Sequence, residues 1–279
     1  MYQFNPIPPI PPIPSIPTTA PLRRLLLLGI PALFLAGCGG GDTADRLDLA
    51  NPAVRFVHAS PAAPNLTLYR NAVAQPDATN VAYKFAANYA DVDTSAADWS
   101  VKTAAAATLV GTVSINPVRG DKYTIVALPT SLVGNTVVLI TDPYNKPLTS
   151  DSTRLRLLNA AYNAASVDVY LNALNTDIAA PGVNPLIAAI AFKTAGPASG
   201  SDSVSIPAGT YQLTIAGAGT KNVLFKGQLS FGANKDILLV GASGDIPINV
   251  PAGSPPVPLG IKMLVKVEGT AGAVELPGL

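Results

Sequence analysis

Three observations predict an all-β chain built as two tandem immunoglobulin-like antiparallel β-sandwich domains. Apolar and polar residues alternate with period two, turn residues punctuate the alternation, and a segment near the start recurs 101 residues later. In the repeat, Val54–Asn71 (VRFVHASPAAPNLTLYRN) is matched by Leu155–Asn172 (LRLLNAAYNAASVDVYLN). Identities fall at Arg55/Arg156, Ala59/Ala160, Ala63/Ala164, Tyr69/Tyr170 and Asn71/Asn172. A period near 100 residues is the size of one such sandwich, whose stacked sheets bury alternate side chains.

The elements follow in order. Alternation marks strands at Leu66–Tyr69, Val167–Tyr170 and Tyr211–Ile215, because successive side chains of a strand point to opposite faces. Further strands are expected at 81–86, 108–115, 122–128, 135–141, 186–193, 222–230, 236–241 and 261–268. Arg119-Gly120-Asp121, Pro207-Ala208-Gly209, Gly217-Ala218-Gly219 and Gly232-Ala233-Asn234 supply turns between them. Only short pieces near 95–99 and 184–191 admit a helical reading. Pro251–Pro258 (PAGSPPVP) is a stiff connection, and the strand after it is expected to close the second sandwich, in the place that Thr153–Asn159 holds after the first. The expected domains are therefore 53–150 and 151–279.

The front of the chain belongs to neither. Arg23 and Arg24 precede twelve mostly apolar residues, Leu25–Ala36, too few for a bilayer core but right for a secretory signal. Leu35-Ala36-Gly37-Cys38 resembles the lipobox of bacterial lipoproteins, which implies that Cys38 is lipidated and becomes the new amino terminus. Residues 1–37 then form the signal peptide with a Pro-rich prefix, and 38–52 the lipidated Cys with a flexible, Gly-rich tether. The Pro-Ile repeats of Met1–Pro21 are foreign to such signals, so translation is expected to begin at Leu22 through an alternative start codon. Gly39, rather than Asp, follows the Cys. The resemblance thus implies a cell-envelope protein held at the outer membrane by its lipid.

The openings of the two repeats also resemble a bacterial domain of unknown function built around a His-Ala-Ser-Pro-x-Ala-Pro opening and a Val-Asp-Val-Tyr strand. The first repeat keeps His58-Ala59-Ser60-Pro61 and Ala63-Pro64; the second keeps Val167-Asp168-Val169-Tyr170. The resemblance covers roughly 54–268 and implies tandem immunoglobulin-like domains in a secreted or lipid-anchored protein, with no catalytic residues.

Composition narrows the chemistry. With 18 Lys+Arg against 17 Asp+Glu, the chain has no cationic surplus for nucleic acid. One Cys and one His exclude a disulfide framework and a Cys/His zinc site. His58 and Ser60 would share a strand face about 7 Å apart, beyond direct proton transfer. Their repeat counterparts are Asn159 and Ala161, and since Asn cannot act as a base, His58 and Asn159 are read as structural loop hydrogen bonders.

Asp91, Asp93 and Asp98 are weak calcium candidates, because alternate oxygen-bearing side chains could gather around the ion. Tyr83, Phe85, Tyr89 and Trp99 are core aromatics or a platform for a ligand, and Trp99 aligns approximately with Tyr211. Arg154 and Arg156, sharing one strand face, read as a solvated stripe. No cofactor is implied. The reading is a lipid-anchored envelope protein with a non-enzymatic binding or structural role, touching the membrane through the lipid on Cys38, with an envelope protein or glycan as partner. The alternatives are a calcium-assisted carbohydrate-binding or adhesion module and, less favoured, a hydrolase.

Overall fold

The computed structural model describes residues 50–144, 150–244 and 260–279. Cys38, the signal peptide, most of the tether and Pro251–Pro258 lie outside the described residues. The described residues cluster as one compact unit. Its first half contains β1 (Ala53–His58), β2 (Leu66–Arg70), β3 (Val73–Ala74), β4 (Ala90–Asp91), β5 (Ala97–Thr103), β6 (Leu109–Ile115), β7 (Lys122–Pro129) and β8 (Asn135–Asp142). The second contains β9 (Ser152–Ala160), β10 (Ser166–Asn172), β11 (Ile187–Ala191), β12 (Ala195–Gly196), β13 (Val204–Pro207), β14 (Gly209–Gly217), β15 (Val223–Phe231), β16 (Asp236–Ser243), β17 (Ile261–Val267) and β18 (Val274–Leu276). Among the described residues the helical content is one 3-10 turn, Pro76–Ala78, so the architecture is all-β.

Each half is a pair of sheets. In the first, β4-β1-β7-β8 faces β3-β2-β5-β6; in the second, β12-β9-β16-β17-β18, with β13 also on β9, faces β11-β10-β14-β15. Between the first pair lie Phe56, Leu66, Leu68, Trp99, Val101 and Ile125. Between the second lie Leu155, Leu157, Val169, Leu213, Ile215 and Leu239. The sheets are mostly antiparallel, with one exception in each half: β1 runs parallel to β7, and β9 parallel to β16. Alternation reports which face a residue takes, not which way its neighbour runs, so this departure from a purely antiparallel sheet was invisible in the sequence.

Register fixes the repeat. Val54 pairs with Tyr123 in β7, and its counterpart Leu155 pairs with Ile237 in β16. The equivalence is thus 101 residues at β1/β9 but 114 at β7/β16, the extra length lying between β10 and β14. Trp99 therefore takes the place of Leu213, since they pair with Arg70 and Leu171, and not that of Tyr211. By the same rule β17 corresponds to β8, each the antiparallel neighbour of its half's parallel strand, rather than to Thr153–Asn159. Residues 81–86 contribute only isolated bridges, and the doubtful helical pieces are strands β5 and β11.

The halves are joined back to back. Val57, Val126, Leu128 and Ile140 on the outer face of the first half's β1 sheet meet Leu158, Leu238, Val240 and Leu264 on the outer face of the second half's β9 sheet. The central strands β1, β7, β9 and β16 are consequently buried on both faces, and β7 (KYTIVALP) is buried at every position. At one end of this seam the apolar contact gives way to charge. Arg154 donates to Asp142 across the seam (2.7 Å), and Lys122 reaches Glu268 (3.4 Å). Each half thus offers a carboxylate beside its last long strand to a cation of the other. Lys266, 1% exposed, donates to Asn88 Oδ1 (3.0 Å) and to the Thr270 carbonyl; burial, with nearby Arg55, pushes its pKa down to about 8.

Because the seam is a third core, the two halves are expected to unfold in one cooperative calorimetric transition. Leu158→Ala should cost about 2–5 kcal/mol in urea unfolding. Leu158→Asp, which places a carboxylate among the apolar side chains of the seam, should split the transition in two. Two transitions in the unaltered protein would contradict the role given to the seam.

Candidate functional site

The loop after β1 turns on His58. Its Nδ1 accepts the Ser60 backbone N–H (3.3 Å), and its Nε2 lies 3.2 Å from the Pro64 carbonyl, to which it donates. At the matching place, Asn159 Oδ1 accepts the Ala161 N–H (3.2 Å), and its amide donates to the Ala164 and Ile190 carbonyls (3.0 and 3.1 Å). Imidazole and carboxamide thus do one job. The Ser60 hydroxyl turns away from the ring and bonds Asn135 Oδ1. With both ring nitrogens engaged by backbone and the hydroxyl elsewhere, the pair has no geometry for nucleophilic attack.

The calcium candidates do not converge. Asp93 pairs with Arg70 (2.9 Å) and accepts the Ser95 N–H (2.8 Å), which together hold its carboxyl well below the usual range. Asp98 accepts the Ser114 hydroxyl (2.5 Å) on β6, while Asp91 sits on β4 in the other sheet. Among the described residues no three His, Cys, Asp or Glu side chains gather where they could hold a metal ion. The alternating Asp pattern spreads over two facing sheets, which is why one spacing does not make one cage.

Arg154 and Arg156 are not a solvated stripe: they are 7% and 3% exposed and lie in the seam. Arg156 donates to the Pro197 and Ala198 carbonyls (2.6 and 2.7 Å) and to that of Ser201. Arg55, its repeat partner, donates to Thr124 Oγ1 (2.9 Å) and lies 4.4 Å from the centre of the Tyr89 ring. The identity of Arg55 and Arg156, the one charged pair among the five identities of the repeat, was the signal that could have placed them. Asp142 and Lys266 left no such mark.

An open cleft of about 420 Å³ lies at one edge of the first half, between the segment 85–92 along β1 and the turn Gln75–Ala78 beside β2, with Thr270–Gly272 of the second half also at its lining. Its floor reaches core side chains, Val54, Phe56, Leu68 and Trp99, and its walls carry Ala78, Ala86, Ala87 and Ala90. Asp77 and Asp91 stand at the lining and are exposed. Trp99 is 2% exposed and belongs to the core, as does most of Phe85, which faces Phe56. Tyr89 is already covered by Arg55 and Lys122. The aromatics therefore form no exposed stacking platform.

The second half is the control. There β11 and the β12–β13 edge close on each other through Ile187, Ile190, Val204 and Ile206. The fit is tight enough that a Cβ on Gly196 would lie 2.6 Å from Ile190 Cδ1. The first half's edge, with Ala78, Ala86, Ala87 and Ala90 at the wall, is not filled in this way, and a cleft of a volume usual for ligand sites results.

Residues 52–170 match the family model of a domain of unknown function, DUF4397. That match spans the first half together with β9 and most of β10. No curated protein matches the chain. Among solved structures, the chain is similar to CBMbc, of family CBM26, from Eubacterium rectale Amy13K, solved in complex with maltoheptaose. The identity is 9%, covering 78% of this chain and 97% of that one, with a TM-score of 0.24.

Burial lowers the pKa of His58 from its ordinary 6.5, against the opposing hydrogen bond to Pro64. The folded state therefore binds this proton less readily than the unfolded one, so the contribution of neutral His58 is present above pH 6.5 and is lost as pH falls below it. His58→Asn should flatten that part of the stability–pH curve while costing no more than about 1 kcal/mol at pH 8, because Asn159 shows that the amide fits. His58→Leu should cost about 1–3 kcal/mol, through the Ser60 N–H and Pro64 carbonyl left without their partner. Urea titrations at pH 5.5 and 8 read both.

Proposed function

We propose that this is a lipid-anchored protein of the bacterial cell envelope with a non-catalytic binding role, its two halves being tandem immunoglobulin-like sandwiches. In this reading Cys38 carries the acyl anchor, residues 39–52 are the tether, and the first half presents its alanine-walled cleft to a partner. The observation that carries the binding role is the contrast between halves: one sheet edge open to its core, the other closed by isoleucines. The groups that would suggest catalysis are otherwise engaged. His58 braces a loop, and Arg154 and Lys122 pair with carboxylates across the seam.

An envelope protein inserting an apolar side chain is the partner that suits a floor of core hydrocarbon. A glycan is the second reading, favoured by Gln75, Asn88 and Asp91 around the opening, whose polar groups can bond hydroxyls. It would dock by those edges, since Tyr89 has cations over its ring.

Two measurements test this. Cys38→Ala should leave the protein unprocessed or released from washed membranes, and continued lipid anchoring would refute the address. Ala87→Trp, at the half-buried wall of the cleft, should reduce partner capture by about tenfold or more after crosslinking in cells, with an unchanged melting temperature. Undiminished capture would move the binding site elsewhere.

A further inference from the structure

We propose, on the binding role given above to the cleft of the first half, that its occupant is an extended peptide segment in which an apolar residue neighbours a lysine or arginine. The first half is shut along one edge and open along the other. Where β6 meets β8, a Cβ on Gly111 would lie 3.0 Å from Val137 Cγ2. At the opposite edge its two sheets end in the two-residue strands β3 and β4. The Phe85 carbonyl accepts the His58 N–H and the Ala87 N–H donates to the Phe56 carbonyl, each at 2.9 Å. The alternate backbone groups, at Ala86 and Asn88 in the cleft lining, therefore point away from β1. A sheet edge with outward N–H and C=O groups is a template for one more extended chain.

The polar groups of the cleft define what that chain carries. Trp99 Nε1 is buried without a hydrogen-bond partner, in a residue 2% exposed on the cleft floor. An indole N–H can only donate, and leaving it unpaired away from water is costly, so it calls for an acceptor. Asn88 Oδ1 already accepts from Lys266 Nζ (3.0 Å), so this amide too offers N–H groups to a ligand. Peptide carbonyls are acceptors repeated along an extended chain, and an apolar side chain between them suits the hydrocarbon of the floor. The rim has the opposite character. Asp77 stands on one wall and Asp91 on the other, both exposed, and among the described residues neither is paired with a cation. Two carboxylates at the mouth of an apolar cleft favour a cationic residue there and disfavour an anionic one.

Trp99 is the one tryptophan of the chain, so its indole N–H gives a single resonance of that kind in a heteronuclear spectrum. Adding acetyl-Val-Lys-Val-Thr-Val-amide should move that resonance downfield to saturation, as the N–H gains an acceptor. The counterpart with Glu for Lys should bind roughly tenfold more weakly in calorimetry at low salt. Asp77→Asn combined with Asp91→Asn, at two exposed positions, should narrow that preference to about twofold or less. A resonance unmoved by either peptide at millimolar concentration would overturn the proposal, as would equal affinity of the unaltered protein for the two. Movement with an N-acetylglucosamine tetramer and not with peptide would overturn it in favour of the glycan reading. Should the peptides fail while Ala87→Trp still reduces capture in cells, the cleft keeps its binding role and only this occupant is wrong. Failure of both removes the site itself.

Discussion

Everything else in this molecule depends on the central strands of two sheets being buried on both faces. A sheet in an ordinary two-layer sandwich has one wet side, and its strands alternate accordingly. Here the β1 sheet and the β9 sheet face their own partner sheets on one side and each other on the other. Strands β7 and β16 therefore lose their polar alternation, and the polar residues that remain must be satisfied within the seam. Arg154 with Asp142 and Lys122 with Glu268 do so reciprocally, by side chains from both halves. Apolar contact supplies adhesion between the halves, and the charged end supplies geometry. Guanidinium and carboxylate groups lose much of their attraction when misaligned, whereas packed leucines tolerate small shifts.

Much of the fold was legible. Strands β6, β7, β8, β15, β16 and β17 begin and end within a residue or two of their expected limits, because turn glycines and β-rich runs are local signals. What could not be read was anything set by the opposite partner. Arg154 and Arg156 share a face in any reading, and only the neighbouring half decides that this face is dry. The equivalence of Trp99 with Leu213 was missed because the second half carries its extra length between β10 and β14, and an alignment carried forward from the opening cannot see it.

The site was legible to a lesser degree. Replacement of His58 by Asn159 in the repeat was enough to suggest backbone bracing over catalysis, and both side chains hold their loops through backbone groups. The alanines around the cleft carried no signal of their own. An alanine in a strand reads as filler, and it becomes informative only beside the isoleucines that close the other half. Asp91, Asp93 and Asp98 show the converse failure, in which a suggestive spacing crosses from one sheet to another and dissolves.

The back-to-back seam also dictates an order of events for a chain that emerges amino end first. The first half can assemble its own core once β8 has appeared, yet Val57, Val126, Leu128 and Ile140 then stand on an uncovered face. Their cover comes from Leu158 early in the second half, but from Leu238, Val240 and Leu264 only near its end. Through most of the second half's emergence, the first therefore displays a sticky flank. A chaperone able to shield that flank, or rapid delivery of the remaining chain, becomes a requirement of biogenesis rather than of the finished fold.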